Sequence, residues 1–432
     1  MLHLLNPFSL FLALLLVLPK TANATPQTTG PVIGVVAQPK KSFIHPCDGD
    51  CEYIAASYVK WVESAGGRVL PIPYDASPKD LDTIFASVNG LLFPGGSSLI
   101  SKGARHLFLR ARQANEAGDF FPVWGTCLGL EWMVEAVCAE AEEADPSLPH
   151  FTMDNDYDAW NLTLPLLFTE SASTSRLFQG LNPSSRTAAR TQNITLNNHH
   201  KGVSPSHLAV TPALASFFDV LSTNLDRKGL PFVSTVEGKN GMPFYGVQFH
   251  PEKALFEWGV EEVGDGGTAK EDVVWWPYEA INHSPSAQAL TLYLANFFLG
   301  EARKNGHVFP EERGGEVLSW AYPVVYSGPE FVQSYFFHEY YFPGKGDYPN
   351  EDMGSGAVVH DDDDDNDDDD DKAAAPAATV AVAAEGEEGR GGNGGATAIA
   401  EGEEDEQSFE RASHALRGGR AKSNGGILLE MA

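Results

Sequence analysis

Short β-branched apolar runs alternate with amphipathic stretches of helical period over the first 150 residues. Residues 32–37 (VIGVVA) predict a buried strand. Ile54, Tyr58, Trp61 and Val62 recur at helical spacing, so residues 52–65 predict a helix, which Gly66 and Gly67 end. Residues 68–74 read as a second strand. Ser77, followed by Pro78 and Asp80, is a helix start, and Leu81, Ile84, Phe85 and Val88 give that helix its apolar face. Residues 91–93 form a third strand, ending in Pro94-Gly95-Gly96. A helix over about 102–117, a short strand ending near Trp124 and a helix over 130–141 follow. Proline does not belong inside a central ladder, so the strand is expected to begin at Val123, after Pro122. This alternation predicts an α/β fold with a mostly parallel central sheet flanked by helices, joined by right-handed crossovers.

Beyond residue 150 the pattern loosens. Residues 160–168, 194–197, 231–236 and 244–249 predict strands, and 286–304 an amphipathic helix. Residues 258–273 are acidic and glycine-bearing, which suggests an exposed insertion. Residues 317–326 and 331–342 supply the last apolar, aromatic stretches. No internal repeat is present.

Composition divides the chain further. Of the formal charge of −30, residues 344–432 carry 23 acidic and 7 basic side chains, including the aspartate run 361–371, broken only by Asn366. Tyr348 and Phe409 are the only aromatics there. Such a segment lacks the apolar surface to offset its ordering entropy, so a disordered low-complexity tail is expected. The acidity also argues against a nucleic-acid surface. At the other end, residues 8–18 (FSLFLALLLVL) are apolar, and Ala22-Asn23-Ala24 offers a cleavage site, which reads as a signal peptide over residues 1–24. The run is too short to span a bilayer, so the mature protein is not expected to be membrane-embedded. Sequons at Asn161, Asn193 and Asn282 suit a secretory route, with delivery outside the cell or to a lysosome or vacuole left open. Residues 25–343 are then expected to form one folded domain.

The four cysteines are too few for a disulfide scaffold and lack zinc-type spacing, so neither a metal site nor a cofactor is expected. Cys47 and Cys51 either pair or stay free. Cys138 lies in a helical apolar pattern and reads as a buried small hydrophobe.

Candidate chemistry gathers at Trp124-Gly125-Thr126-Cys127-Leu128-Gly129, between a strand and a helix. A Gly-x-nucleophile-x-Gly turn exposes its central side chain at the carboxyl end of a strand. The helix behind it favours thiolate and aims the Leu128 amide at a developing oxyanion. A thiolate needs a base. His250 ends a strand, Pro251 stops that strand, and Glu252 lies within reach of the far ring nitrogen to fix the tautomer. The glycine pair after residue 93, Gly96 in particular, is a candidate second half of an oxyanion hole.

These pieces, in the order PGG, GTCLG, HPE, resemble the class I glutamine amidotransferase-like hydrolases, and within them the γ-glutamyl hydrolase family. The resembling segments are 31–38, 53–66, 92–96, 123–131, 245–253 and 295–305. The resemblance implies Cys127 as nucleophile, His250 as general acid/base, Glu252 as its orienting group, and amides near Gly96 and Leu128 around the oxyanion. It implies folylpoly-γ-glutamate as substrate and a homodimer as assembly. Amidotransferases usually carry glutamine four residues after the cysteine; Glu131 stands there instead, as in the γ-glutamyl hydrolases. Asn198-His199-His200-Lys201 resembles that family's Asn-x-His-Lys stretch and would place His200 and Lys201 near substrate. Read alone, His200 is equally a solvated loop histidine and Glu131 a first-turn helix acid. Lys201 and Lys253 are the nearest cations for an anionic substrate, although Lys253 also reads as a solvated surface lysine. Two alternatives stand beside this reading: a glutaminase or small γ-glutamyl-amide hydrolase, and a secreted binding or assembly protein on a retained hydrolase scaffold.

Overall fold

The strand Val32–Val36 is apolar at every position because both its faces are covered. Ile33 and Val35 enter one hydrophobic cluster, and Val32 and Val36 enter the other. A computed structural model describes residues 28–39, 51–263, 274–328 and 331–338, and in it this strand lies inside an eight-stranded sheet. The order is Arg68–Ile72, Val32–Val36, Gly90–Phe93, Val123–Thr126, Phe244–Val247, Pro231–Gly238, Phe218–Leu225 and Leu167–Phe168. The first five strands are parallel and the last three antiparallel. Helices Ala56–Ser64 and Pro285–Ala302 cover one face; Pro78–Ser87, Lys102–Glu116 and Leu128–Ala144 cover the other. The expected α/β architecture is therefore the observed one.

Local signals explain the elements that matched. Ser77 caps its helix by accepting the Asp80 N–H at 3.3 Å, with Pro78 in the first turn. Pro122 stays outside the ladder, and its carbonyl accepts the Leu91 N–H at 3.0 Å. Cys138 is buried and unpaired, and burial pushes its thiol up to about 12.

Two expectations need correction, and one strand has no counterpart among them. Residues 52–55 are not helical: Cys51–Ala55 is a strand paired antiparallel with Val332–His338, and the helix begins only at Ala56. Its N-cap is Ala55, which makes no side-chain cap, so the boundary left no polar signal. The run 160–168 is divided at Pro165. Ala159–Leu164 pairs with Thr195–His199, whereas Leu167–Phe168 joins the edge of the main sheet. Phe218–Leu225 was not anticipated as a strand, because a bulge between Val220 and Ser222 interrupts the alternation by which strands are read.

The insertion begins as the strand Val260–Val263 and returns as Val274–Pro277, paired antiparallel, with Trp258 stacked on His283 at its root. Its tip, the first 27 residues, Cys47 and the acidic tail lie outside the described residues. No described helix is long and apolar enough to cross a membrane.

Candidate active site

Three loops meet because they leave three neighbouring parallel strands at the same end. Phe93 pairs with Gly125, and Thr126 pairs with Val247, so the chain segments that follow them emerge side by side. Cys127 comes first after its strand. Its φ of 51° is a left-handed value that costs a non-glycine residue about 1–3 kcal/mol. The turn is held by the Cys127 N–H, which donates to the Val247 carbonyl at 2.7 Å, and by the Cys127 carbonyl, which accepts from Leu130 and Glu131. Gly129 cannot carry a side chain here: a Cβ would sit 2.0 Å from the Phe93 carbonyl oxygen. A Cβ on Gly125 would likewise meet the backbone of Gly129 at 2.6 Å.

His250 is 9 % exposed, and its Nδ1 lies 2.7 Å from Glu252 Oε1, with Glu252 fully inside. The Cys127 sulfur also acts on the ring. Burial works against charge on the imidazole, but the Glu252 carboxylate and the Cys127 sulfur outweigh it and raise the ring to about 10. A raised folded-state value means that the stability gained from the charged ring is complete below about pH 6.5 and is lost as pH rises through about 10. The difference in urea midpoint between the native chain and His250→Gln should therefore narrow steadily from pH 6 to pH 10. A constant difference would show that the imidazolium is not held by Glu252.

Gly95 and Gly96 divide the work of their loop. The Gly95 N–H donates to the Tyr58 hydroxyl at 2.7 Å, and that hydroxyl lies 3.4 Å from His250 Nδ1. A Cβ on Gly95 would approach His250 Cε1 and the Tyr58 oxygen to 2.6 Å, so the loop, the phenol and the imidazole are mutually fitted. Gly96 is exposed beside them. The Leu128 amide, first in its helix, has no carbonyl one turn behind it within the helix and stays available on the sulfur side.

Glu131 is buried in the first turn of that helix and accepts the Gln248 Nε2–H at 2.9 Å. Burial raises its carboxyl, with Gln248 and Lys201 opposing. One turn on, burial and then the Glu131 charge push Glu135 up to about 7. The charge of Lys201, which is exposed, works against the rise of both acids. His200 is half-buried, bonds the Tyr157 carbonyl through Nδ1 at 2.9 Å and stacks on Trp160 at 5.7 Å.

Lys253 departs from both of its readings. It is 3 % exposed, neither surface lysine nor free cation for substrate. Its Nζ lies 2.6 Å from Glu257 and 2.8 Å from Glu279. Ser57 donates to the other Glu257 oxygen at 2.5 Å, and Asn198 donates to Glu279. Burial raises the Glu257 carboxyl, and Lys253 restrains the rise.

Sequence reasoning missed Tyr58, Gln248 and His199. Tyr58 read as part of an apolar helix face, and nothing in the sequence disclosed where its hydroxyl ends. His199 is buried beside Phe232, and burial lowers its imidazole to about 3. Gln248 had a signal: in an extended segment it shares a side with His250, two residues on.

A family model described as Peptidase C26 matches residues 31–252. The chain belongs to the Peptidase C26 family. Human gamma-glutamyl hydrolase is 36% identical over 315 residues, 71% of this chain and 89% of the human protein. Gamma-glutamyl hydrolase B of Dictyostelium discoideum is 36% identical over 315 residues, 71% of this chain and 81% of its own length. Gamma-glutamyl hydrolase 1 of Arabidopsis thaliana is 31% identical over 304 residues, 69% and 79% of the two chains. Among solved structures, a GMP synthase component from Thermoplasma acidophilum matches 64% of this chain and 95% of its own, with a TM-score of 0.35 and 16% identity. Membership of the Peptidase C26 family makes the chain a cysteine-type hydrolase, and its matched span contains Cys127, His250 and Glu252.

Proposed function

We propose that this protein hydrolyses γ-glutamyl amide bonds of folylpoly-γ-glutamates by acyl transfer to Cys127. The observation that carries the reading is the convergence of a left-handed Cys127 with a His250 ring whose far nitrogen is fixed by Glu252. The thiolate attacks the side-chain carbonyl, and the amides of Gly96 and Leu128 receive the negative oxygen. The imidazolium gives its proton to the departing amine. The neutral ring then takes a proton from water, whose oxygen attacks the thioester; collapse releases the acid and the thiolate, and the proton stays on the ring, which restores the imidazolium–thiolate pair. Glu252 keeps the ring in the tautomer that faces sulfur throughout. Glu131 and Lys201, with opposite charges on adjoining elements, suit the amino and carboxylate groups of a glutamyl residue, and His200 borders them. Lys253 is enclosed between two acids, whereas Lys201 is exposed and so the better placed of the two to meet an anionic tail.

Residues 25–343 are proposed as the catalytic domain, 1–24 as a signal for the secretory route, and 344–432 as a tail without part in turnover. Support comes from the apolar run 8–18, the tail's composition and the sequons, of which Asn193 is exposed. A homodimer rests on family resemblance alone.

The deciding experiment is mass analysis of products from a defined pteroylpolyglutamate. Release of glutamate or shorter γ-linked chains is expected. Turnover of glutamine alone, with the polyglutamate untouched, would overturn the reading in favour of a glutaminase; no turnover of either, with no labelling of Cys127 by an alkylator, would favour a non-enzymatic scaffold.

A further inference from the structure

The buried carboxamide of Gln248 stands between two groups of the proposed site. It is 1 % exposed, and its Nε2 lies 2.9 Å from Glu131 Oε1 and 3.8 Å from Cys127 Sγ. The amide nitrogen faces Glu131, the orientation that a carboxylate, which accepts only, requires. One N–H is then used on Glu131, and the second is directed at sulfur. The Asn198 carbonyl lies 3.9 Å from the same sulfur, where it suits a thiol proton but repels a thiolate.

We propose that Gln248 is a catalytic residue, its carboxamide clamped by Glu131 so that one N–H stabilises the Cys127 thiolate in the resting site and the sulfur as it leaves the thioester. A hydrogen bond to the charged form favours that form, and a donor locked in place loses no orientation energy at the moment of reaction. Glu131 thereby acts on the sulfur through Gln248. The balance at sulfur also involves the charges around it. His250, with Glu252 behind it, favours thiolate from the 250–252 turn. Glu131 and Glu135 lie on the helix side, where Lys201 acts against the charge of both. Tyr58 and the neutral His199 border His250 without adding charge. Gln248 adds a neutral donor to this set, which strengthens the thiolate without forming a competing ion pair with His250.

The inference rests on Cys127 as nucleophile, so its test reads the thiol directly. Iodoacetamide labelling of Cys127 is followed against pH in the full chain, in Gln248→Met and in Gln248→Glu. Met keeps length and volume without the N–H; Glu keeps shape and polarity but replaces the donor with an acceptor. The midpoint of labelling should rise by about one pH unit in the Met chain and by more in the Glu chain, with kcat lowered about 10-fold or more. Urea unfolding verifies that each chain is native, and Gln248→Asn, which keeps a neutral amide but is one methylene too short to bridge Glu131 and the sulfur, decides the matter if either fails to fold. Superimposable labelling profiles, with only KM altered, would overturn the proposal and leave Gln248 as an anchor for Glu131. Failure of the polyglutamate assay with the labelling shift intact would instead count against the substrate and not against Gln248.

Discussion

Cys127→Ser should abolish release of glutamate from γ-linked polyglutamates, with kcat lower by about 10⁴-fold or more, while the urea midpoint changes little. The hydroxyl is close to the thiol in size, and the left-handed turn that holds it is set by backbone contacts of Gly125, Gly129 and Val247 that the exchange leaves alone. What changes is ionisation. The imidazolium of His250, raised by Glu252 and the sulfur, stabilises a thiolate, and an alkoxide lies far out of its reach at neutral pH. Product analysis by mass spectrometry measures the loss, and urea unfolding verifies that the chain is native. Retained turnover in a native Cys127→Ser chain would remove the acyl-enzyme mechanism.

Lys253→Met should be the most damaging single change to stability outside the core, at about 3–5 kcal/mol, because it leaves Glu257 and Glu279 facing each other inside the protein. A loss of that size lowers Tm by roughly 10 °C in a domain of this length. Its pH dependence has a definite sign. Burial has already raised Glu257, and removal of the ammonium raises it further, so one of the two acids takes up a proton as pH falls. The penalty is therefore smallest near pH 5 and grows towards pH 8. Replacing the acids as well, in Lys253→Met with Glu257→Gln and Glu279→Gln, should recover most of the Tm. Activity should fall with stability in the single variant, since Glu279 holds Asn198 beside the sulfur and Lys253 follows Glu252 directly. A Tm within 2 °C of the native chain at pH 8 would mean that the cluster is open to water.

These two residues mark how far the sequence could be read. Cys127 was legible because its chemistry leaves a local trace: glycines on either side, a strand before and a helix after. His250 and Glu252 were legible for the same reason, since proline and a two-residue spacing fix the turn that joins them. Lys253 has no such trace. A lysine after a turn reads as surface, and only tertiary packing encloses it between an acid one helical turn on and another on the far side of the insertion. Tyr58 is similar, its ring belonging to a helix face that the period predicts and its hydroxyl to a loop that the period cannot predict.

The sequence by itself determined the alternation of strands and helices, the apolar faces, the strained turn and the residue types of a cysteine hydrolase, because each depends on neighbours a few positions away. Tertiary structure alone decided that Cys51–Ala55 is a strand, since its partner lies near the far end of the described chain. It likewise decided that Phe218–Leu225 is one despite its bulge, and that Gln248 reaches the sulfur. Backbone pairing, burial and the direction of a buried amide depend on what lies opposite, and no periodicity records that.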